Sequence, residues 1–287
     1  MSNPVYHIKD LACQYNASSE PVLQIEELNL YEGEIVFFVG ASGVGKSTLL
    51  ETLGLMNNTI DFQNSGEFWF ENKNIREDLR GIWTKSEKVL SKFRQENLSF
   101  IFQSTNLFPN LSAFENVLLT QIVEGKSYDE AAQNAKSMIY RLFPNQRDRD
   151  EIVEDGKSIM ELSGGQRQRL AFVRAAISKY AILLADEPTG NLDWWNAKNL
   201  IEILVDKVKS EYGVTVIVTH DIDLATQYGD RIVLIRKEIR DPQDESSSYG
   251  VLNSEGIFTR DHDKWKNYQD TAIIQSDLSK YLKDQLK

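Results

Sequence analysis

Residues 40 to 48 read Gly40-Ala41-Ser42-Gly43-Val44-Gly45-Lys46-Ser47-Thr48. The spacing fits G-x-x-x-x-G-K-[ST], a loop that cradles phosphate. Its glycines admit turn conformations and let the backbone approach an anion closely. Successive N–H groups and the positive end of a following helix then make an anion site. Lys46 would neutralise the β- and γ-phosphates of a nucleotide, and the Ser47 hydroxyl would ligate Mg²⁺. The context suits this chemistry: an apolar run, Ile35–Val39, precedes the loop, and Ser47–Leu53 can open a helix.

A second candidate is Ala181-Ile-Leu-Leu-Ala-Asp-Glu-Pro188, an apolar strand ending in two carboxylates. Ligands of open α/β sheets sit at the carboxyl ends of strands. Asp186 would hold the Mg²⁺ shell there, directly or through water, and Glu187 would orient or deprotonate an attacking water. Taken alone, the segment also reads as an ordinary strand followed by a polar turn. Beside a phosphate loop it gains specificity, because a nucleotide site needs both parts.

The third is Leu162-Ser163-Gly164-Gly165-Gln166, which opens a helix with apolar positions at Leu170, Val173, Ala176 and Ile177. Ser163 is a good N-cap. The glycines expose N–H groups at a positive helix end, a second anion site. One chain rarely needs two cradles for one phosphate group, which points to a site shared between two copies.

These residues need a scaffold. Short β segments are expected at Tyr6–Lys9, Leu23–Leu30, Ile35–Val39, Asn64–Asn72, Ala181–Ala185, Val214–Thr219 and Ile232–Ile235. Helices are expected at Glu77–Gln95, Ala113–Ile122, Tyr128–Phe143, Ala197–Lys209 and Ile222–Gln227. Alternating helices and continuous apolar strands predict a mostly parallel sheet covered on both faces. The composition changes after about Ile239. Asp241–Ser248 reads as a linker, and 241–287 as an extension whose structure the pattern does not define.

The whole chain has 287 residues, 41% hydrophobic and 26% charged, with 6 prolines: a folded globular composition. A single cysteine excludes an internal disulfide and an all-cysteine metal site, and suggests a reducing compartment. The net charge of -11 opposes general binding to nucleic acid or anionic lipid. No run approaches the roughly 18 apolar residues that span a bilayer. Residues 1–7 lack the pattern of a signal peptide.

In order, the phosphate loop, Gln103 after Ser99-Phe-Ile-Phe, Leu162–Gln166, Leu183–Glu187, Asn191-Leu-Asp193 and Thr219-His220 resemble an ABC-type ATPase domain over about Tyr6 to Ile239. Phe100–Val117 and Ala185–Asp193 look most like the branch of lipoprotein-release, macrolide-efflux and cell-division (FtsE-like) systems and their antimicrobial-peptide-resistance relatives. The resemblance implies a P-loop NTPase with a RecA-like parallel core, an antiparallel β subdomain and an α-helical signature subdomain at about 106–178, the ATPase domain spanning 1–240. It implies ATP and Mg²⁺ as ligands and a head-to-tail homodimer in which residues 40–48 of one copy face residues 163–166 of the other. Gln103 would reach Mg²⁺ and the nucleophilic water. His220 would contact the γ-phosphate and hold Glu187 and the water. Asp193 would lie at the dimer interface. Tyr15 would stack on adenine, or else is a strand aromatic in a core. His7, His262 and Cys13 read as structural.

The helical subdomain would dock transmembrane permease subunits, placing the protein in the cytoplasm at the inner face of the membrane. Leu107–Phe114 supplies either that contact or a small core under the loop. Three features depart from the family: Trp194-Trp195 after Asp193, Arg236-Lys-Glu-Ile239 where a glycine-containing hairpin is usual, and the extension. Two adjacent aromatics do not easily both fit a core, so at least one is expected to meet a partner or the second protomer. The alternative function, a soluble ABC ATPase acting on nucleic acid or ribosomes, is opposed by the acidic charge and by the absence of paired domains. A nucleotide-binding scaffold without turnover is opposed by Lys46, Glu187 and His220.

Overall fold

A computed structural model describes residues 4–15, 20–60, 66–72, 75–190, 192–211, 213–241 and 243–286. The chain opens with β1 (Tyr6–Cys13), β2 (Leu23–Leu30), β3 (Ile35–Gly40) and α1 (Lys46–Leu53). β4 (Glu67–Glu71) and β5 (Arg76–Asp78) follow, then α2 (Glu87–Asn97) and β6 (Leu98–Ile101). A helical stretch holds α3 (Ala113–Val123), α4 (Tyr128–Leu142), α5 (Gln146–Val153) and α6 (Gly164–Ala176). Alternation returns with β7 (Ile182–Asp186), α7 (Trp194–Glu211), β8 (Val214–Val218) and α8 (Ile222–Tyr228). The C-terminal part comprises β9 (Arg231–Asp241), β10 (Asp244–Leu252), β11 (Ile257–Asp261), β12 (Lys264–Lys266), β13 (Ala272–Ile273) and α9 (Gln275–Gln285).

The strand order is β5-β4-β1-β2-β10-β9-β3-β8-β7-β6. The five strands β9, β3, β8, β7 and β6 are mutually parallel, and β1, β2, β4 and β5 form an antiparallel wing. β3 shows why the centre is continuously apolar. Ile35, Phe37 and Val39 enter one core with the helices, while Val36 and Phe38 enter the other with the wing. Every side chain of that strand is buried, as a doubly covered parallel sheet demands. The fold class expected from the sequence is the one observed.

Several expectations need correction. Residues 77–95 are not one helix. Glu77 pairs with Phe70 in β5, a 3₁₀ turn follows at Leu79–Thr84, and Ser86 in extended backbone starts α2. Asp78 caps the start of that turn: its side chain accepts the Arg80 N–H and holds its guanidinium. Residues 64 and 65, expected in a strand, lie outside the described residues. The strand expected at Ile232–Ile235 runs to Asp241, straight through Arg236–Ile239.

Asp241–Ser248 is not a linker. β10 pairs antiparallel with β9 and parallel with β2, so it joins the two halves of the sheet. Its polar residues pair with β9 at Asp244↔Asp241 and Ser248↔Ile239, and β2 joins only at Gly250–Leu252; Pro242 lies outside the described residues. The rest of the extension is ordered on the core. β11 pairs with β9, Trp265, Leu278 and Leu282 are buried, and Lys283 holds Asp223 of α8 at 2.7 and 2.8 Å. Cys13 is buried, and burial pushes its thiol up to about 11, as a structural residue allows.

Candidate nucleotide site

β3 ends at Gly40, between parallel neighbours β8 and β9. Gly43 and Gly45 have φ of 74° and 95°, backbone that L side chains resist. Gly40 is packed from both sides: a Cβ there would lie 2.8 Å from the Ile235 carbonyl oxygen and from Val44 Cγ1. α1 begins at Lys46 with no side-chain cap on Gly45, so its first N–H groups remain available to an anion. Lys46 Nζ donates to the carbonyls of Gly40 (2.8 Å) and Ala41 (2.7 Å), which holds it over the loop. Burial lowers its proton affinity, and Glu187 and Asp186 act in the opposite sense.

One cavity of about 570 Å³ collects Tyr15, Ser42, Gly43, Gly45, Lys46, Ser47, Thr48, Gln103, Asp186, Glu187 and His220. Of the other loop residues, Val44 is buried and offers only its backbone. Val22, Gly190 and Val218 also line the cavity, although their types carry no signal in the sequence. Tyr15 is exposed, which removes the core alternative. Its hydroxyl donates to Glu51 Oε2 at 2.9 Å and lies 3.1 Å from Thr48 Oγ1, holding the ring at the loop's mouth.

Asp186 ends β7 opposite Val218 of β8, and the Glu187 N–H donates to the Val218 carbonyl. That register brings His220 Nε2 to 3.3 Å from Glu187 Oε1. Glu187 has φ 45°, left-handed backbone that costs about 1–3 kcal/mol outside glycine and concentrates at functional sites. Burial holds both carboxyls above the usual carboxylate range; His220 pulls Glu187 back down, and Lys46 does so for Asp186. Glu187 Oε1 is buried, facing His220. Ser47, Gln103 and Asp186 bring hydroxyl, amide and carboxylate oxygens to the same cavity, a donor set suited to a hard cation. Among the described residues no three His, Cys, Asp or Glu side chains form a metal cluster.

Two expected groups lie outside this cavity. Ser163 caps α6 with a reciprocal box: its Oγ accepts the Gln166 N–H at 3.2 Å, and Gln166 Oε1 accepts the Ser163 N–H at 2.8 Å. A Cβ on Gly164 would meet only open space. Asp193 accepts the Asn196 N–H at 3.0 Å and starts α7; Asn191 lies outside the described residues.

Gly250 is a site-supporting residue that the sequence reading missed. It sits in β10 with its N–H on the Val22 carbonyl, and a Cβ there would collide with the Val44 carbonyl of the phosphate loop. An isolated glycine inside a strand is the available signal. Gly250 lies past Asp241–Ser248, in the extension whose structure the sequence pattern does not define.

A phosphate loop on a central parallel strand, facing two carboxylates at the end of β7 and a histidine after β8, and joined to a helical subdomain and an antiparallel wing, defines a nucleotide-hydrolysing ATPase domain. Residues 23–190 match the family model described as ABC transporter. The chain is 36% identical over 230 residues to the lipoprotein-releasing system ATP-binding protein LolD of Idiomarina loihiensis, covering 79% of this chain and 92% of that protein. For LolD of Desulfotalea psychrophila the identity is 35%, covering 80% and 96%. Among solved structures, the dimeric bacterial ABC transporter cassette MJ0796 superposes with a TM-score of 0.67 at 31% identity, covering 80% of this chain and 93% of that one. Its dimeric post-hydrolysis state bound to ADP and Pi gives 0.66. The chain belongs to the ABC transporter family as an ATP-binding, ATP-hydrolysing subunit. Of the functions weighed from the sequence, the transporter subunit is the one these likenesses bear out.

Proposed function

We propose that this subunit works as a head-to-tail homodimer with Mg-ATP, at the cytoplasmic face of a membrane, driving a permease complex of the lipoprotein-releasing kind. The printed names of its relatives support the last element. No described helix is long and apolar enough to cross a membrane, so membrane work requires partner subunits. The observation that carries the dimer is the split site: the cavity holds the loop, Gln103, Asp186, Glu187 and His220, while the second anion-binding helix end faces elsewhere.

Lys46 leaves the Gly40 and Ala41 carbonyls for the β- and γ-phosphates. Tyr15 stacks on adenine. Ser47, Asp186 and Gln103 would hold Mg²⁺, which would neutralise charge on the phosphates. Glu187, poised by burial to accept a proton, takes it from the attacking water while His220 fixes the carboxylate. Ser163–Gln166 of the second copy closes over the γ-phosphate, and Asp193 lies beside it.

Light scattering of Glu187→Gln with and without Mg-ATP tests this reading. The expected result is a monomer that becomes a dimer only with Mg-ATP. A persistent monomer that still binds ATP would transfer control of closure to the permease or the C-terminal segment. Absence of ATP binding would overturn the site assignment.

A further inference from the structure

Two side chains of α6, neither of them part of the expected nucleotide contacts, tie the helix to both catalytic loops of its own chain. The Arg174 guanidinium donates to the carbonyls of Asn106 (2.9 Å) and Thr105 (3.2 Å). Thr105 lies two residues past Gln103. Gln168, buried, donates through Nε2 to the carbonyls of Pro188 (2.7 Å) and Glu187 (3.4 Å).

The endpoints are unusual. Asn106 and Glu187 are both non-glycine residues in left-handed backbone, with φ of 46° and 45°. Such backbone persists only where its surroundings hold it, and the two ties grip these two carbonyls. Arg174 is an expensive way to make a merely structural tie. It is half-buried, and no carboxylate among the described residues forms an ion pair with it. A neutral donor would serve at lower desolvation cost. The fork of a guanidinium, however, reaches two successive carbonyls at once and fixes their orientation.

α6 has 13 residues and is about 20 Å long. Its exposed N-terminus is the end that the head-to-tail reading directs at the other copy's nucleotide. Gln168 and Arg174 are six residues apart, so they leave the helix in directions about 120° apart around its axis. A close-packed helix moves as a rigid body. Shifting it displaces both loops together.

We propose that Arg174 and Gln168 are positioning residues that set Gln103 and Glu187 according to whether the N-terminus of α6 is engaged by nucleotide held in a second copy. The two sites of the dimer are thereby coupled through one helix in each chain. This rests on the head-to-tail reading above.

The test is an Mg-ATP titration of steady-state ATPase activity for the full chain and its Arg174→Ala, Arg174→Lys and Gln168→Leu variants. Calorimetric Kd for a non-hydrolysable ATP analogue and a melting temperature are measured alongside. Arg174→Ala and Gln168→Leu are expected to lose about ten- to a hundredfold in kcat. The analogue's Kd should hold, and the Hill coefficient should fall toward one. Arg174→Lys, which keeps a charged donor, should recover part of both. Unchanged kcat and Hill coefficient overturn the proposal. So does a kcat loss matched by an equal rise in Kd and a lower melting temperature, with no rescue by lysine, since that describes a structural tie. The light-scattering result for Glu187→Gln separates the two readings. If that variant fails to dimerise, the shared site falls and the coupling falls with it. If it dimerises while the α6 variants behave as wild type, the coupling alone falls.

Discussion

His220 Nε2 stands 3.3 Å from Glu187 Oε1, each at the end of a neighbouring parallel strand. The contact sets how readily Glu187 takes a proton. Burial raises the carboxyl above the usual range, and His220 lowers it. A general base works only when ionised, so the acid limb of the kcat–pH profile should lie above the ordinary Glu value of about 4.3. In His220→Ala the lowering influence is gone. The limb should move to higher pH, and kcat should fall by about 10²–10³ from the lost orientation. A profile that stays in place, or moves to lower pH, would contradict the assigned pairing.

The same buried carboxyl sets a stability trade-off. Folding raises its proton affinity, so its stabilising contribution is full at pH below the unfolded value and is lost as pH rises through the folded value. The ionised Glu187 carboxylate is desolvated in the folded chain, and His220 offsets that only in part. Glu187→Gln should therefore raise the melting temperature at pH 7.5, by about 2–4 °C for each kcal/mol of charge burial relieved. The difference should shrink toward pH 4. ATPase activity should drop by about 10²–10⁴. Calorimetry at the two pH values checks this; a variant less stable than wild type at pH 7.5 would show that Glu187 is not held against its charge.

Much of this site was legible because the chemistry fixes residue types and spacing locally. Residues 40–48, Asp186 and Glu187 follow from phosphate and metal chemistry read against a strand pattern. Gln103 and His220 carried no such signal on their own and came through resemblance. Gly250, Gln168 and Arg174 matter through tertiary approach: a missing Cβ beside Val44, and long donors reaching distant carbonyls. Nothing in their neighbourhood in the sequence announces those contacts. The hairpin β9–β10 was obscured because its polar end pairs only within the hairpin, at Asp244↔Asp241 and Ser248↔Ile239, and shows no apolar alternation.

Gly250→Ala tests the claim that the C-terminal hairpin supports the phosphate loop. The added methyl cannot occupy its ideal position without displacing the Val44 carbonyl or β10. Overpacking of this kind costs about 1–3 kcal/mol. If the loop yields, the cost appears in ATP affinity as a Kd raised by about five- to a hundredfold. If the strand yields, it appears in the melting temperature with Kd unchanged. Calorimetric titration beside a melting curve separates the two, and only the first supports the role given to Gly250.

Trp194 and Trp195 open α7 immediately after Asp193, and they are 57% and 72% exposed. Their ring centroids are 6.3 Å apart, and Lys198 Nζ lies 5.5 and 5.8 Å from them. Neither ring belongs to a core, so replacing both with serine should leave the melting temperature and the monomer's ATP affinity near wild type. Burying one such side chain removes about 150–250 Å² from water, at about 25 cal/mol per Å². Part of that gain is offset by ordering and imperfect fit on association. The double variant, made in the Glu187→Gln background, should therefore dimerise with Mg-ATP only at protein concentrations higher by about tenfold or more. Light scattering across a concentration series reads this directly. An unchanged midpoint would exclude the Trp pair from the interface between copies and leave the membrane partner as its remaining contact; unchanged assembly with the permease as well would show that the pair joins no interface.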